Sequence, residues 1–125
     1  MTTTPDDGLE AIGDLLRNAV AYVGLGTGKN ESTTASALGT REYLVETSNT
    51  NVELVETGTT GEYEAVIRVK GGTEVSGGTE ISEMAVFDGD PDGSGTLLNI
   101  DEFGAKTAEA GHTEEFTIPV NPQRV

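Results

Sequence analysis

ISEMAVFDGDPDGSGTLLNIDEF, residues 81–103, decides the fold. Two short apolar runs flank a loop of Asp, Gly and Pro. In the first run, 81–87, strand alternation places Ile81, Ala85 and Phe87 on one face and Met84 and Val86 on the other. Glu83 falls on the Ile81 face, so that face is expected to meet water at one point. The second run, 96–100, is short and apolar. A polar, Gly-rich connection between two such runs reads as a β-hairpin with a long loop. Apolar side chains on both faces place this hairpin centrally in a sandwich rather than at an edge.

Working outward, residues 61–70 carry the clearest strand pattern. Tyr63, Ala65, Ile67 and Val69 alternate with Glu62, Glu64, Arg68 and Lys70, and Val66 alone interrupts the polar face. The paired glycines 71–72 and 77–78 bracket a short polar piece, read as an exposed hairpin tip or loose loop. Upstream, 42–47 and 52–57 each contain Leu-Val-Glu-Thr and read as the two strands of one hairpin turned by 48–51. Residues 21–25 (AYVGL) read as a strand that ends in Gly24, Gly26 and Gly28, with those glycines supplying a turn or close approach. Residues 29–40 form a polar loop with a short helical turn at 35–38, and Asn30-Glu31-Ser32 is a formal glycosylation acceptor.

At the N-terminal side, Leu9, Ile12, Leu15, Leu16 and Val20 form a helical stripe over 8–20, with Asp6 or Asp7 as its cap. That helix packs on its own domain or on a neighbouring subunit. Downstream of the hairpin, 104–112 reads as a polar connection. The last strand, 115–120, sets Phe116, Ile118 and Val120 on one face, and Pro119 marks an edge or an end. The sum is a mainly β chain: an antiparallel β-sandwich, jelly-roll or immunoglobulin-like, of about seven strands with one N-terminal α-helix. One domain spans 8–120, with flexible tails at 1–7 and 121–125.

The chain has 125 residues, enough to bury a core without a staple, and it has no Cys. Seven basic residues face 22 acidic ones, for a formal charge of −15. Nucleic acid and anionic membrane both need a basic surface, so neither is expected as a partner. Disorder is at odds with the alternating strands. A cation-binding surface and a protein that works in very high salt remain. The acid is spread along the whole chain rather than blocked, which favours the salt reading. No basic, apolar leader pattern opens the sequence, and no apolar run is long enough to span a bilayer.

Spacing bears on three chemical readings. A phosphate-binding loop ending at Gly28-Lys29 needs Gly at 23 and Ser or Thr at 30, where Val23 and Asn30 stand. A dinucleotide fingerprint needs its third Gly at Lys29. Asp88, Asp90 and Asp92 followed by Gly93 match the first half of a calcium loop, so these carboxylates are the metal candidates, with Ca²⁺ the one cofactor considered. The second half departs, with Thr96 at the ninth position and Asn99 at the twelfth. His112, the single His, has no triad or metal spacing around it. Asp101-Glu102 and Glu114-Glu115 are unremarkable in so acidic a chain, and no enzyme is expected.

VGLGTG (23–28), ALGTRE (37–42), ISEMAVFDG (81–89), GTLLNIDEF (95–103) and AGHTEEFTIPV (110–120), in that order, resemble a family of small virion proteins. These belong to tailed viruses of bacteria and archaea and are described as tail-fibre-like or minor structural proteins. Their pattern is a GTG strand end, an ALG/E segment, an ITEAGLFD…GTLLA hairpin and a closing strand. This chain departs at His112, where the family often has an acid after Gly, and in a more acidic hairpin tip. The resemblance implies a β-sandwich that assembles as a symmetric homo-oligomer in the virion. Its partners would be itself, other virion proteins and the host cell surface. Taken with the acidity, it implies a tailed virus of a haloarchaeal host. The competing expectation is a calcium- or glycan-binding module of an acidic extracellular protein.

Overall fold

The computed structural model describes residues 6–28, 37–58 and 62–120. The glycosylation acceptor at 30–32, residues 35–36 of the helical turn read at 35–38, residues 1–5 and the tail at 121–125 lie outside the described residues; Ala37 and Leu38 are not helical, and Asp6 and Asp7, read as tail, open the helix. The elements are α1 (Asp6–Ala19), β1 (Tyr22–Thr27), β2 (Thr40–Glu46), β3 (Val52–Glu56), β4 (Tyr63–Lys70), β5 (Thr79–Phe87), β6 (Leu97–Ala108) and β7 (Thr113–Pro119). They form a four-stranded sheet in the order β2-β1-β5-β6 and a three-stranded sheet in the order β3-β4-β7. Every neighbouring pair is antiparallel. The described residues form a mainly β sandwich of seven strands with one N-terminal helix.

The main core lies between the sheets. The four-stranded sheet contributes Val23, Leu25, Val45, Ile81, Met84 and Val86. The three-stranded sheet contributes Val52, Tyr63, Ala65, Ile67, Val69, Phe116 and Ile118. With no Trp and few aromatics, small β-branched side chains fill this layer. Each fully buried Val, Ile or Leu favours folding by about 1.5–3 kcal/mol over exposure. One rim is closed by β6 against β7: Asn99 Nδ2 donates to the Pro119 carbonyl at 2.7 Å, and the Phe103 and Phe116 rings lie 5.6 Å apart. At the other rim Asn51 Nδ2 donates to Tyr43 Oη at 3.1 Å and to the Arg68 carbonyl at 3.2 Å, tying the sheets together.

Five readings of the sequence are corrected. β2 and β3 are not a hairpin, because β2 pairs with β1 and β3 with β4. Their turn carries the chain from one sheet to the other, and Val45 and Val52 meet in the core from opposite sides. β1 does not stop at its glycines but runs through Gly26 to Thr27. Residues 71–78 are the crossover from β4 to β5 rather than a free tip. Val75 is buried there, and Gly71 bridges to both Val75 and Ala110. β6 continues through 104–107 to Ala108, because β5 residues Thr79–Ile81 pair with Lys106–Ala108. It therefore forms an edge, while β5 sits centrally.

The fifth correction concerns the faces of β5. The register between β5 and β6 slips between Ile81 and Glu83. A slip of this kind lets two successive residues share a face. Ile81 consequently joins Met84 and Val86 in the main core, while Ala85 and Phe87 belong to a second cluster on the outer side of the sheet. Glu83 does not wet the Ile81 face. It turns outward and is fully buried there.

Candidate functional site

The outer face of the four-stranded sheet is roofed, and glycine makes the roof possible. A Cβ at Gly24 would stand 2.9 Å from Leu38 Cδ1 and 3.3 Å from Phe87 Cε2. At Gly26 it would stand 2.6 Å from the Thr40 carbonyl oxygen. The two glycines thus leave a trough in β1, and residues 38–40 lie in it. Leu38 packs there with Ala85 and Phe87, flanked by Tyr22, Leu44, Leu97 and Ile100. These glycines are in ordinary extended backbone; of the three in β1 and its end, only Gly28 has positive φ.

Glu83 holds the roof down. Its Oε1 accepts the Gly39 N–H at 2.7 Å. A Cβ at Gly28, which has positive φ, would come within 2.9 Å of the same oxygen, and one at Gly39 within 3.1 Å. Beside it, Ser82 Oγ accepts the Gly28 N–H at 2.9 Å and donates back to the Gly28 carbonyl at 3.2 Å. Thr27 Oγ1 donates to the Glu80 carbonyl at 2.6 Å. A carboxylate taken out of water costs several kcal/mol, and charge-assisted bonds from backbone N–H groups are the means of offsetting that cost.

The acidic hairpin tip, residues 88–96, is tied to the same face. Asp92 makes a bidentate pair with Arg41 of β2, at 3.0 and 2.9 Å. The pair is solvent-exposed. The hydrogen bond from Arg41 holds the Asp92 carboxyl below its ordinary range, and the same bond raises the Arg41 guanidinium. Asp88 Oδ1 accepts the Thr96 N–H at 2.5 Å, closing the loop at its base. Asp90 Oδ1 accepts the Asp92 N–H at 2.9 Å, the local turn that Asp favours. The three metal candidates are thus each bonded to a different group. Among the described residues, no set of three or more Asp, Glu, His or Cys side chains converges to hold a metal ion.

The other charged candidates are dispersed. His112 is exposed in the β6–β7 turn, where its carbonyl accepts the Gly71 N–H at 3.2 Å. Asp101 and Glu102 are successive residues of β6, and Glu114 and Glu115 of β7, so each pair splits between opposite faces of its sheet. On the outer face of the three-stranded sheet, Arg68 bridges Glu53 and Glu115, each at 3.0 Å. Exposed pairs of this kind contribute about 0–1 kcal/mol each.

The helix meets the sandwich at Tyr63, with Leu16 half-buried and Val20, just past its end, buried in the main core. Asp14 Oδ1 accepts a 2.6 Å hydrogen bond from the Tyr63 hydroxyl, and the Arg17 guanidinium lies 5.5 Å from the centre of the Tyr63 ring. The bond to Asp14, with burial second, pushes the Tyr63 phenol up to about 12. Ile12 and Leu15 of the same helix face outward, 51% and 72% exposed.

Sequence reasoning named the tip and passed over Glu83 as a bonding group and Arg41 altogether. The available signal was an acid, Glu83, beside the apolar run 84–87, in a chain with two glycines inside β1. Three of the segments quoted above, VGLGTG, ALGTRE and ISEMAVFDG, meet in this one place as trough, roof and pin. No protein-family model matches the chain, and no curated protein sequence matches it.

Proposed function

We propose that the chain is a structural component of a tailed virus particle, on the capsid surface or the tail, that assembles as a symmetric homo-oligomer in high salt. The observation that carries this reading is the meeting of VGLGTG, ALGTRE and ISEMAVFDG on one roofed sheet face. Segments that are far apart in the chain, resemble one virion family in the same order, and also touch are one structural feature. Chance composition would scatter them. The role is assembly rather than catalysis, and its place is the virion.

The charge of −15 supports the setting. In multimolar salt the Debye length falls to about 3 Å or less, so exposed carboxylates stop repelling one another and keep their water and cations. The partners are sister copies, other virion proteins and the host surface that the particle meets. Mass spectrometry of density-banded particles, with copy number per particle, tests the proposal. Stoichiometric presence is expected. Expression in infected cells with absence from banded particles overturns it. The competing reading, a calcium- or glycan-binding module, rests on the Asp88-Asp90-Asp92 spacing and is tested separately below.

A further inference from the structure

The geometry points to Asp90–Pro91 as a peptide bond that the folded chain cleaves by itself in acid, an inference that stands independently of the virion reading. It is the one Asp-Pro pair in the sequence, and it lies in the tip between β5 and β6, with Asp90 exposed to water. An Asp side chain can attack its own main-chain carbonyl carbon, because that closes an unstrained five-membered ring. In an ordinary peptide the reaction stalls on the leaving nitrogen. Proline supplies a tertiary amide, whose nitrogen carries no N–H and takes up a proton more readily.

The tip holds the scissile carbonyl in place. The Asp90 carbonyl oxygen accepts two backbone N–H groups, from Gly93 and from Gly95, each at 2.9 Å. Both donors aim at the atom on which negative charge grows during attack, at the distance of an oxyanion hole. A Cβ at Gly95 would fall 2.7 Å from the Asp90 carbonyl carbon, so glycine is what lets this donor approach. The side chain is held as well. Asp90 Oδ1 accepts the Asp92 N–H at 2.9 Å, which closes a ring of atoms containing the Asp90–Pro91 bond and lays the carboxyl alongside it. On the far side of the bond, the Arg41–Asp92 pair anchors the loop to β2. An unfolded chain has neither the paired donors nor the anchor.

Attack by a carboxyl oxygen on the Asp90 carbonyl carbon forms one C–O bond, and the C–N bond to Pro91 breaks. The carboxyl proton passes to the Pro91 nitrogen, which leaves as a secondary amine. Water then opens the cyclic anhydride left at Asp90 and restores the side chain beside a free α-carboxylate. The net change is one water added across the bond. Acid favours the step because a proton must reach the leaving nitrogen. The charged and titratable groups around Asp90 are Asp88 and Asp92 of its own loop, Arg41 of β2, and Tyr22 of β1 with its bonded Glu46. Residues 91–125 carry β6 and β7, which stay paired to β5 and β4 after the cut. The nick therefore frees the tip without dismantling the sandwich.

The test holds the full chain in multimolar KCl at the lowest pH where circular dichroism still shows the β fold, with the same chain in urea at that pH as the unfolded reference. Intact mass after denaturation reads the products. Fragments 1–90 and 91–125, together heavier than the chain by one water, are expected at least about 10-fold faster from the folded chain than from the unfolded one. Asp90→Asn keeps the turn acceptor and loses the acid, and is expected to stay intact at the wild-type Tm. Pro91→Ala is expected to cleave more slowly, since it restores an ordinary leaving nitrogen. Cleavage no faster than in the unfolded chain overturns the inference. So do an intact wild type, fragments from another bond, fragments that persist in Asp90→Asn, and an undiminished rate in Pro91→Ala.

Discussion

Gly26→Ala tests the roofed sheet face by the sign of its effect. In an open strand the change stabilises, because Gly gives up about 0.5–1 kcal/mol relative to Ala in a strand interior. Here the new Cβ would lie 2.6 Å from the Thr40 carbonyl oxygen and 3.3 Å from Leu38 Cβ. Thr40 cannot retreat freely, because it pairs with Thr27 across the β1–β2 ladder. Overpacking of this kind costs about 1–3 kcal/mol. For a domain of 125 residues, each kcal/mol moves Tm by about 3–5 °C, so the loss is roughly 3–15 °C. Gly104→Ala in β6 is the control, since nothing lies within 4 Å of its Cβ position. It is expected to leave Tm unchanged or raise it by a few degrees. Thermal unfolding followed by circular dichroism in multimolar KCl reads both variants. A Gly26→Ala protein that melts at or above the wild type would falsify the account of residues 38–40 lying in a glycine trough.

Three further outcomes follow from the charges. Lowering KCl from multimolar to about 0.1 M lengthens the Debye screening distance to about 10 Å and is expected to lower Tm, and equal stability at both salts removes the high-salt reading. The Tyr63 phenol, pushed up to about 12 by its bond to Asp14, favours the fold below the ordinary value of 10.0, and that contribution is lost as pH rises from about 10 to about 12. Phenolate absorbance should show its titration moving down toward 10 in Asp14→Ala, and an unmoved curve contradicts the Asp14–Tyr63 bond. Because Arg41 already occupies Asp92, calcium added at constant ionic strength is expected to leave Tm unchanged. A rise that Asp90→Asn abolishes would instead support the calcium-binding reading.

The legibility of the chain varied with what each element faces. β4 was plain, since Tyr63, Ala65, Ile67 and Val69 all point into one core and alternation records that. β7 was plain for the same reason, with Phe116, Ile118 and Val120 buried and Pro119 at an edge strand. The hairpin at 81–103 was legible as a pair, but the faces of β5 were not. A register slip between Ile81 and Glu83 exchanges inside for outside without changing a residue type. β2 and β3 misled because two short strands joined by a polar turn look alike whether they pair or pass between sheets. β6 was cut short because its end, Gly104 to Thr107, is exposed and polar. β1 was cut short at glycines that serve close approach rather than a turn.

The candidate site was legible in pieces. The Asp-rich tip stood out by composition, yet its carboxylates bond to Thr96, Asp92 and Arg41 separately. The Glu83 pin could not be read, because its partners Gly28 and Gly39 are 55 and 44 residues away and carry no side chain to announce a contact. The apolar stripe of α1 was evident from its period, but not that it splits, with Ile12 and Leu15 exposed, Leu16 half-buried and Val20 in the core.

The most direct test of the virion role is immunogold electron microscopy of intact particles in multimolar salt, using antibody raised against the folded chain. The account predicts gold at repeated, symmetric positions on the capsid surface or along the tail. Particles that carry no gold, while the chain is found free in the infected cell, would contradict it.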